Sequence, residues 1–294
     1  MGVAHSLVIL GATGLLGQAL KREAARRNVP ATGVARTNAE RTLDVTDGAA
    51  LSRLLEETRP TVIVNAAAMT ALDACERSPG DAYLINARLA ALLARHCATH
   101  GCRLLQVSTD HYFSGDGQRL HREDATVSLL NEYARTKYAG ESFALSNSDS
   151  LVVRTNVVGF RRWEGRPTFV EWAIAALRKQ DSMTLFDDFY TSSLDVESLA
   201  SALLDLVDRQ ARGLLNVAAR ECSSKRDFIL GLARRLNLST ANCRVGSVRK
   251  LAGPARAESL GLDVTAAEGV LGYALPGAET VLDRLVQQNE EIRN

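Results

Sequence analysis

No apolar stretch in this sequence reaches the length of about 20 residues that a bilayer span needs. The first residues lack the basic, apolar and small-residue succession of a secretion signal and enter a strand-like run almost at once. A cytoplasmic location is therefore the default expectation. Met1-Gly2-Val3-Ala4-His5-Ser6 formally fits a myristoylation pattern, but so short a pattern recurs by chance. An excess of one charge is also missing: 35 Lys and Arg against 34 Asp and Glu leave a formal net charge of +1. That balance gives no reason to expect a nucleic acid or an anionic membrane as partner. There is no C-x-x-C, and the five cysteines (Cys75, Cys97, Cys102, Cys222, Cys243) are odd in number, so they read as reduced thiols. His96-Cys97-x-x-His100-x-Cys102 imitates a metal pattern, yet His96 and Cys97 are neighbours at a helix end and Cys102 opens the next strand. No metal site is expected, and no acidic cluster announces a divalent ion. Internal repeats and low-complexity tracts are absent as well. What remains is an ordinary globular composition, 46% hydrophobic and 23% charged over 294 residues. That is one large or two intimately joined domains with ample core.

The positive signal begins at Leu7-Val8-Ile9-Leu10, a short apolar run that reads as a strand buried on both faces. Gly11-Ala12-Thr13-Gly14-Leu15-Leu16-Gly17 follows, and then a helical pattern to Ala25. A strand, a glycine-rich turn and a helix form the context in which backbone N–H groups and a helix N-terminus meet a pyrophosphate. Side chains at Gly11 or Gly14 would obstruct that approach. Strands are then expected at Ala31–Arg36, Arg41–Val45, Thr61–Ala68, Arg103–Ser108 and Leu151–Arg154, with helices at Ala49–Glu57, Ala82–Thr99 and Glu132–Leu145. This alternation predicts an α/β fold, a Rossmann-type doubly wound parallel sheet with right-handed crossovers. Beyond Asn156 the rhythm loosens. Gly159–Pro167 reads as a loop, with helices at Thr168–Arg178, Val196–Leu206 and Phe228–Leu236 and strands at Met183–Phe186 and Gly213–Val217. The expected division is a dinucleotide domain of 1–158 with 183–218, and a smaller mixed α/β C-terminal substrate lobe of 159–182 with 219–294.

Tyr133-Ala134-Arg135-Thr136-Lys137 places a phenol and an ammonium on one helix face. An ammonium beside a phenol is expected to stabilise the phenolate and lower its pKa, making Tyr133 a proton donor and acceptor near neutrality. Thr109, at the end of the Arg103–Ser108 strand, supplies a hydroxyl for a carbonyl oxygen beside Tyr133. At the end of Ala31–Arg36, where an NAD site wants an acid for the ribose hydroxyls, the sequence has Arg36. A guanidinium there suits a 2′-phosphate, so NADP(H) is preferred and NAD(H) admissible.

Taken together, these motifs resemble the extended short-chain dehydrogenase/reductases, and within them the dTDP-4-dehydrorhamnose reductase family. The resemblance also rests on Leu43-Asp44-Val45-Thr46-Asp47, Val62–Ala68, Thr70-Ala71-Leu72-Asp73-Ala74-Cys75-Glu76 and Ser108-Thr109-Asp110. It extends to Phe113-Ser114-Gly115, Arg122-Glu123-Asp124, Gly140-Glu141 and Arg154-Thr155. It implies that Thr109, Tyr133 and Lys137 are catalytic. Gly11, Thr13, Gly14, Leu15, Leu16 and Gly17 would hold the pyrophosphate, Asp44 and Val45 the adenine, and Ala66, Ala67 and Ala68 the nicotinamide ribose. Tyr133 and Lys137 also face the cofactor, with Lys137 on the ribose. The implied reaction is hydride transfer to a C4 ketone of a nucleotide-sugar substrate; a homodimer is compatible with the resemblance.

The sequence departs from the family where the sugar should sit. The aromatic after Ser-Thr-Asp is replaced by His111, the Ser-Trp after Arg154-Thr155 by Asn156 and Val157, and the Gln/Gly-Pro-Thr loop by Asp187–Ser193. Thr109, Asp110, His111, Asn156 and Val157 are the expected substrate contacts. Two other readings stand beside the reductase. One is a nucleotide-sugar dehydratase or epimerase; dehydratases need an acid where His111 stands. The other is a non-catalytic regulatory subunit resembling the beta subunit of methionine adenosyltransferase.

Overall fold

The structure is a computed structural model and describes residues 5–163 and 166–293. Residues 1–4 of the myristoylation-like pattern and residues 164–165 of the Gly159–Pro167 loop lie outside the described residues. Seven parallel strands form the central sheet, in the order Gly213–Asn216, Leu151–Arg154, Arg103–Val107, Val62–Asn65, Leu7–Leu10, Ala31–Ala35 and Arg41–Thr42. Side chains alternate across a strand, so Leu7 and Ile9 enter one core and Val8 and Leu10 the other. The first core is covered by helices Leu15–Arg26 and Val196–Asp208 through Ala19, Leu20, Leu199 and Leu203. The second is covered by Gly48–Thr58 and Leu89–His100 through Leu51, Leu55, Leu89 and Leu93. Burial on both faces is why these strands read as unbroken apolar runs.

From Leu7–Leu10 the chain moves outward to Ala31–Ala35 and Arg41–Thr42, then returns to Val62–Asn65 on the other side. That reversal opens a crevice at the carboxyl ends of Leu7–Leu10 and Val62–Asn65, where sheets of this kind bind ligands. Several elements differ from the sequence expectation. The Thr61–Ala68 strand is confined to Val62–Asn65, because the chain leaves the sheet where the Gly11 turn crosses it. Arg41–Val45 shortens to Arg41–Thr42, since Asp44 turns the chain by accepting from the Thr46 N–H (2.9 Å) and hydroxyl (2.7 Å).

The single helix expected over Ala82–Thr99 is instead Pro79–Tyr83, a π-helical turn Leu84–Arg88, and Leu89–His100. A π turn commonly marks a functional place in a helix. Here the Asn86 carbonyl bulges against Gly140 of the Glu132–Leu145 helix, where any Cβ would collide with it. The same residue's side chain brackets Met69, accepting from its N–H (2.8 Å) and donating to its carbonyl (3.0 Å). The π turn thus fixes the segment that follows the Val62–Asn65 strand.

The second half adds a four-stranded mixed sheet of Ser223–Ser224, Tyr190–Thr191, Ser259–Leu262 and Leu120–His121. Leu194–Asp195 pairs with Val157–Val158. Met183–Phe186 pairs with Cys243–Gly246, outside the central sheet, whereas Val196–Asp208 and Gly213–Asn216 join the first half. Helix Lys225–Arg235 starts ahead of the expected Phe228 because the Ser224 hydroxyl accepts from Asp227 N at 3.0 Å. The five cysteines are free thiols. Among the described residues no helix is long and apolar enough to cross a membrane.

Candidate active site

The glycine turn is shaped by two separate demands. Gly11 has φ +80°, and a Cβ there would lie 2.8 Å from Ala66 O and Ala67 N. Its freedom serves the crossing of two backbones and brings Ala66, Ala67 and Ala68 to the turn. Ligand access falls instead to the helix start. Gly14 caps Leu15–Arg26 with no side-chain hydrogen bond, and its first turn holds no acid. By contrast, Asp47, Asn131, Thr168, Asp195 and Ser224 all cap their own helices with side-chain oxygens. The N–H groups of Leu15, Leu16 and Gly17 are thus left for an anion, which fits a dinucleotide pyrophosphate.

Arg36 is exposed just beyond Ala31–Ala35. The Thr46 hydrogen bonds, and then the Arg36 charge, hold the Asp44 carboxyl below its ordinary range. Val45 packs against the second core. A cavity of about 650 Å³ lies beside the turn, lined by residues that include Thr13, Lys21, Thr37, Glu40 and Trp163. Glu40, on the cavity wall, is already engaged by the Lys21 ammonium and by the Gly33 N–H at 3.0 Å.

Thr109 follows the Arg103–Val107 strand at the same rim, and Tyr133 and Lys137 approach it from helix Glu132–Leu145. That helix is set by Asn131, whose side-chain oxygen accepts from Ala134 N at 2.8 Å while its amide donates to Ala255 O at 2.8 Å. Thr109 Oγ1 accepts from the His111 N–H at 3.3 Å, and the His111 ring packs edge-on to Tyr133, which brings the Thr109 hydroxyl to the side of the phenol. Lys137 Nζ donates to Val107 O at 2.7 Å. The expected lowering of the Tyr133 pKa is corrected here: burial raises it well above the ordinary phenol value, with the Thr109 hydroxyl opposing. The ammonium is committed to the Val107 carbonyl, and it is itself pulled down to about 8 by burial, against Glu141. In a dry site the cost of desolvating a phenolate outweighs a partner directed elsewhere.

Asp110 is 1% exposed, and burial pushes its carboxyl up to about 7 against the Asn156 hydrogen bond and the Lys225 charge. Asn156 Nδ2 donates to Asp110 Oδ2 at 2.6 Å, while its Oδ1 accepts from Ser193 Oγ at 2.7 Å. Asn156 therefore ties the rim of the central sheet to the Asp187–Ser193 segment of the second half. Val157 lies just outside this network, paired with Leu194.

His111 sets its ring edge-on to Tyr133, with centroids 5.6 Å apart, and its buried Nδ1 has no hydrogen-bond partner among the described residues. Desolvation, then the Lys225 and Arg256 charges, lowers its pKa from 6.5 to about 4, so it is neutral at pH 7. A base depressed by folding contributes stability above its unfolded pKa and loses it as pH falls through the folded one. Between pH 6.5 and pH 4 the wild-type melting temperature should therefore fall more steeply than that of His111→Leu. Parallel slopes in thermal unfolding across that range would refute the neutral, desolvated imidazole.

The structure thus brings Thr109, Asp110, His111, Tyr133, Lys137 and Asn156 together. Ser193, the last residue of the Asp187–Ser193 departure, joins them through Asn156, and Asn86 and Lys225 join without any motif pointing there. Lys225 carried one faint signal, since a cation in a helix's first turn opposes its dipole.

Comparison with known proteins places the chain in a family. Residues 5–290 match the family model described as RmlD substrate binding domain. A dTDP-4-dehydrorhamnose reductase of Mycobacterium tuberculosis is 36% identical over 225 residues, 75% of this chain and 71% of that protein. One of Streptomyces griseus is 35% identical over 201 residues, 68% of this chain and 64% of that protein. This second match spans somewhat less than two thirds of the relative's length. The crystal structure of a Bacillus anthracis dTDP-4-dehydrorhamnose reductase in complex with NADP superposes with a TM-score of 0.86, at 24% identity, covering 98% of this chain and 99% of that one. With a family model spanning nearly its whole length, the chain belongs to the RmlD substrate binding domain family.

Proposed function

We propose that the protein reduces the C4 ketone of a nucleotide-linked 4-keto-6-deoxysugar, with dTDP-4-dehydrorhamnose the first candidate and NADPH the preferred reductant. The observation that carries this reading is the meeting of Thr109, Tyr133 and Lys137 at the rim beside an uncapped helix N-terminus. Bound reduced nicotinamide supplies the hydride. The Thr109 hydroxyl holds the carbonyl oxygen beside Tyr133, and the Tyr133 hydroxyl gives its proton to the oxygen as it becomes an alkoxide. Its raised pKa keeps that proton in place until the alkoxide forms. Lys137 exchanges the Val107 carbonyl for the ribose. Asp110, His111 and Asn156 shape the sugar pocket. Neutral His111 stands where a dehydratase needs an acid, and the complete Thr109-Tyr133-Lys137 set favours catalysis over a purely regulatory role. We assign 1–158 with 183–218 to the cofactor and 159–182 with 219–294 to the sugar, with the Met183–Phe186 strand structurally tied to the latter.

Loss of NADPH absorbance with dTDP-4-dehydrorhamnose generated in situ tests the reaction. Tight NADPH binding without turnover of any nucleotide-linked 4-keto sugar overturns it. Cofactor choice is tested at Arg36. Arg36→Ala should raise KM for NADPH by roughly tenfold or more, the scale of a charge-assisted phosphate contact, and leave KM for NADH nearly unchanged. Equal use of both cofactors by the wild type would remove Arg36 from the argument.

A further inference from the structure

The mechanism leaves Lys225, a cation at the catalytic rim, unused. Lys225 opens the Lys225–Arg235 helix, and its backbone N–H donates to Phe189 O at 2.8 Å. Its position opposes the helix dipole, so helix stability does not explain it. The ammonium lies 4.4 Å from the centre of the Phe169 ring, with the Phe189 and Phe228 rings at 5.9 and 5.8 Å. Aromatic faces attract a cation but leave its hydrogen-bond donors unspent. Its one hydrogen bond among the described residues is a long 3.5 Å contact to Ser193 Oγ, and no carboxylate is near enough for an ion pair.

Asp110 is close enough for each charge to act on the other, yet its Oδ2 is held by Asn156, and its Oδ1 has only a 3.4 Å contact from Thr109. Burial pulls Lys225 down to about 8, which leaves it charged at pH 7. His111, edge-on to Tyr133, also feels that charge. Between the two halves of the molecule there is thus a desolvated donor, linked through Ser193 and Asn156 to the Asp110 carboxyl, whose Oδ1 is loosely held. The Asp110 carboxyl, pushed up to about 7, is ionised in about half of the molecules at pH 7, and in that form it repels a second anion. A hydroxyl can accept from the ammonium and donate to the carboxylate.

On the reading of the site as a nucleotide-sugar reductase, we propose that Lys225 is a specificity-determining residue that donates a hydrogen bond to a ring hydroxyl of the sugar. Asn156 and Ser193 orient the pair, and the three phenyl rings hold the ammonium stem.

Titration of dTDP and of dTDP-rhamnose into the NADP⁺-loaded protein, with turnover of the 4-keto sugar alongside, tests this. Lys225→Met keeps the length of the side chain and suits the phenyl surroundings. It should weaken the sugar nucleotide, in Kd and in KM, by roughly 10- to 100-fold, the factor for a hydrogen bond to a charged donor. Binding of dTDP alone should stay within about twofold, kcat should change less than KM, and Lys225→Arg should recover part of the loss. Lys225→Gln is expected to show the same split and serves if the Met variant loses NADP⁺ binding through misfolding. Equal weakening of dTDP and dTDP-rhamnose makes Lys225 a diphosphate contact and overturns the proposal. Unchanged affinity for both makes it a packing residue and does the same. A wild type that binds NADP⁺ but no sugar nucleotide overturns the reading of the site, and this inference with it, and is recognised by the wild-type titration alone.

Discussion

Replacing Tyr133 by phenylalanine is expected to lower kcat by about 10²- to 10⁴-fold, the range for a positioned general acid. NADPH affinity should stay within about twofold. The two halves of this expectation have different physical origins. The phenol sits on a helix set by the Asn131 cap, with the Thr109 hydroxyl beside it, so losing its oxygen removes the proton source and little else. The ring remains, and with it the edge-on packing of His111 at 5.6 Å. The backbone N–H groups at the start of Leu15–Arg26, which we propose hold the pyrophosphate, do not involve Tyr133. Steady-state turnover beside a fluorescence titration of NADPH separates the two. A variant that keeps more than about a tenth of the wild-type kcat would show that another group delivers the proton. His111 is a poor alternative, being neutral at pH 7 with a pKa near 4, so such a result would point to Asp110, whose carboxyl burial pushes up to about 7.

How much of this was legible in the sequence varies with the kind of interaction. The central sheet announced itself because strands buried on both faces must be apolar throughout, and Leu7–Leu10 and Leu151–Arg154 fall where their composition places them. Thr109, Tyr133 and Lys137 were legible because strand-end position and helical spacing are local properties. The roles of Gly11 and Gly17 were half legible. Their spacing marks the turn, but that Gly11 serves the crossing over Ala66 and Ala67 is a tertiary fact. The π turn at Leu84–Arg88 left no trace in an Ala- and Leu-rich helical pattern, because its cause is the approach of a distant Gly140. Ser193 was legible only as the end of the departing Asp187–Ser193 segment and Lys225 only as a cation against a helix dipole; each is an ordinary polar residue until the second half folds over Asp110. The direction of the Tyr133 shift was misread because spacing places Lys137 on the same helix face. Spacing says nothing of how dry that face is or where the ammonium is spent.

The largest structural effect is expected one layer beneath the site. Glu141 and Arg154 form an ion pair at 2.9 Å, with side chains 2% and 4% exposed. Glu141 Oε1 also accepts from Ser108 Oγ at 2.6 Å, Arg154 donates to Glu123 O at 3.2 Å, and its guanidinium lies 5.1 Å from the centre of the Tyr112 ring. The pair therefore braces the carboxyl ends of Arg103–Val107 and Leu151–Arg154, the strands that carry Thr109 and Asn156. Arg154→Met leaves a carboxylate buried without its cation, which typically costs about 3–5 kcal/mol. For a chain of this size that is a fall in melting temperature on the order of 10 °C. The double variant Glu141→Leu/Arg154→Met removes the stranded charge along with its partner and should recover a substantial part of the loss. Thermal or denaturant unfolding of the two single variants and the double completes the cycle. Additive losses would mean that the two groups act independently and that the bracing is ordinary packing. Losses that shrink in the double variant would place the cost in the unpaired charge. In that case the double variant should regain stability ahead of activity. The hydrogen bond from Ser108 to Glu141, which holds the residue before Thr109, is restored by no apolar replacement.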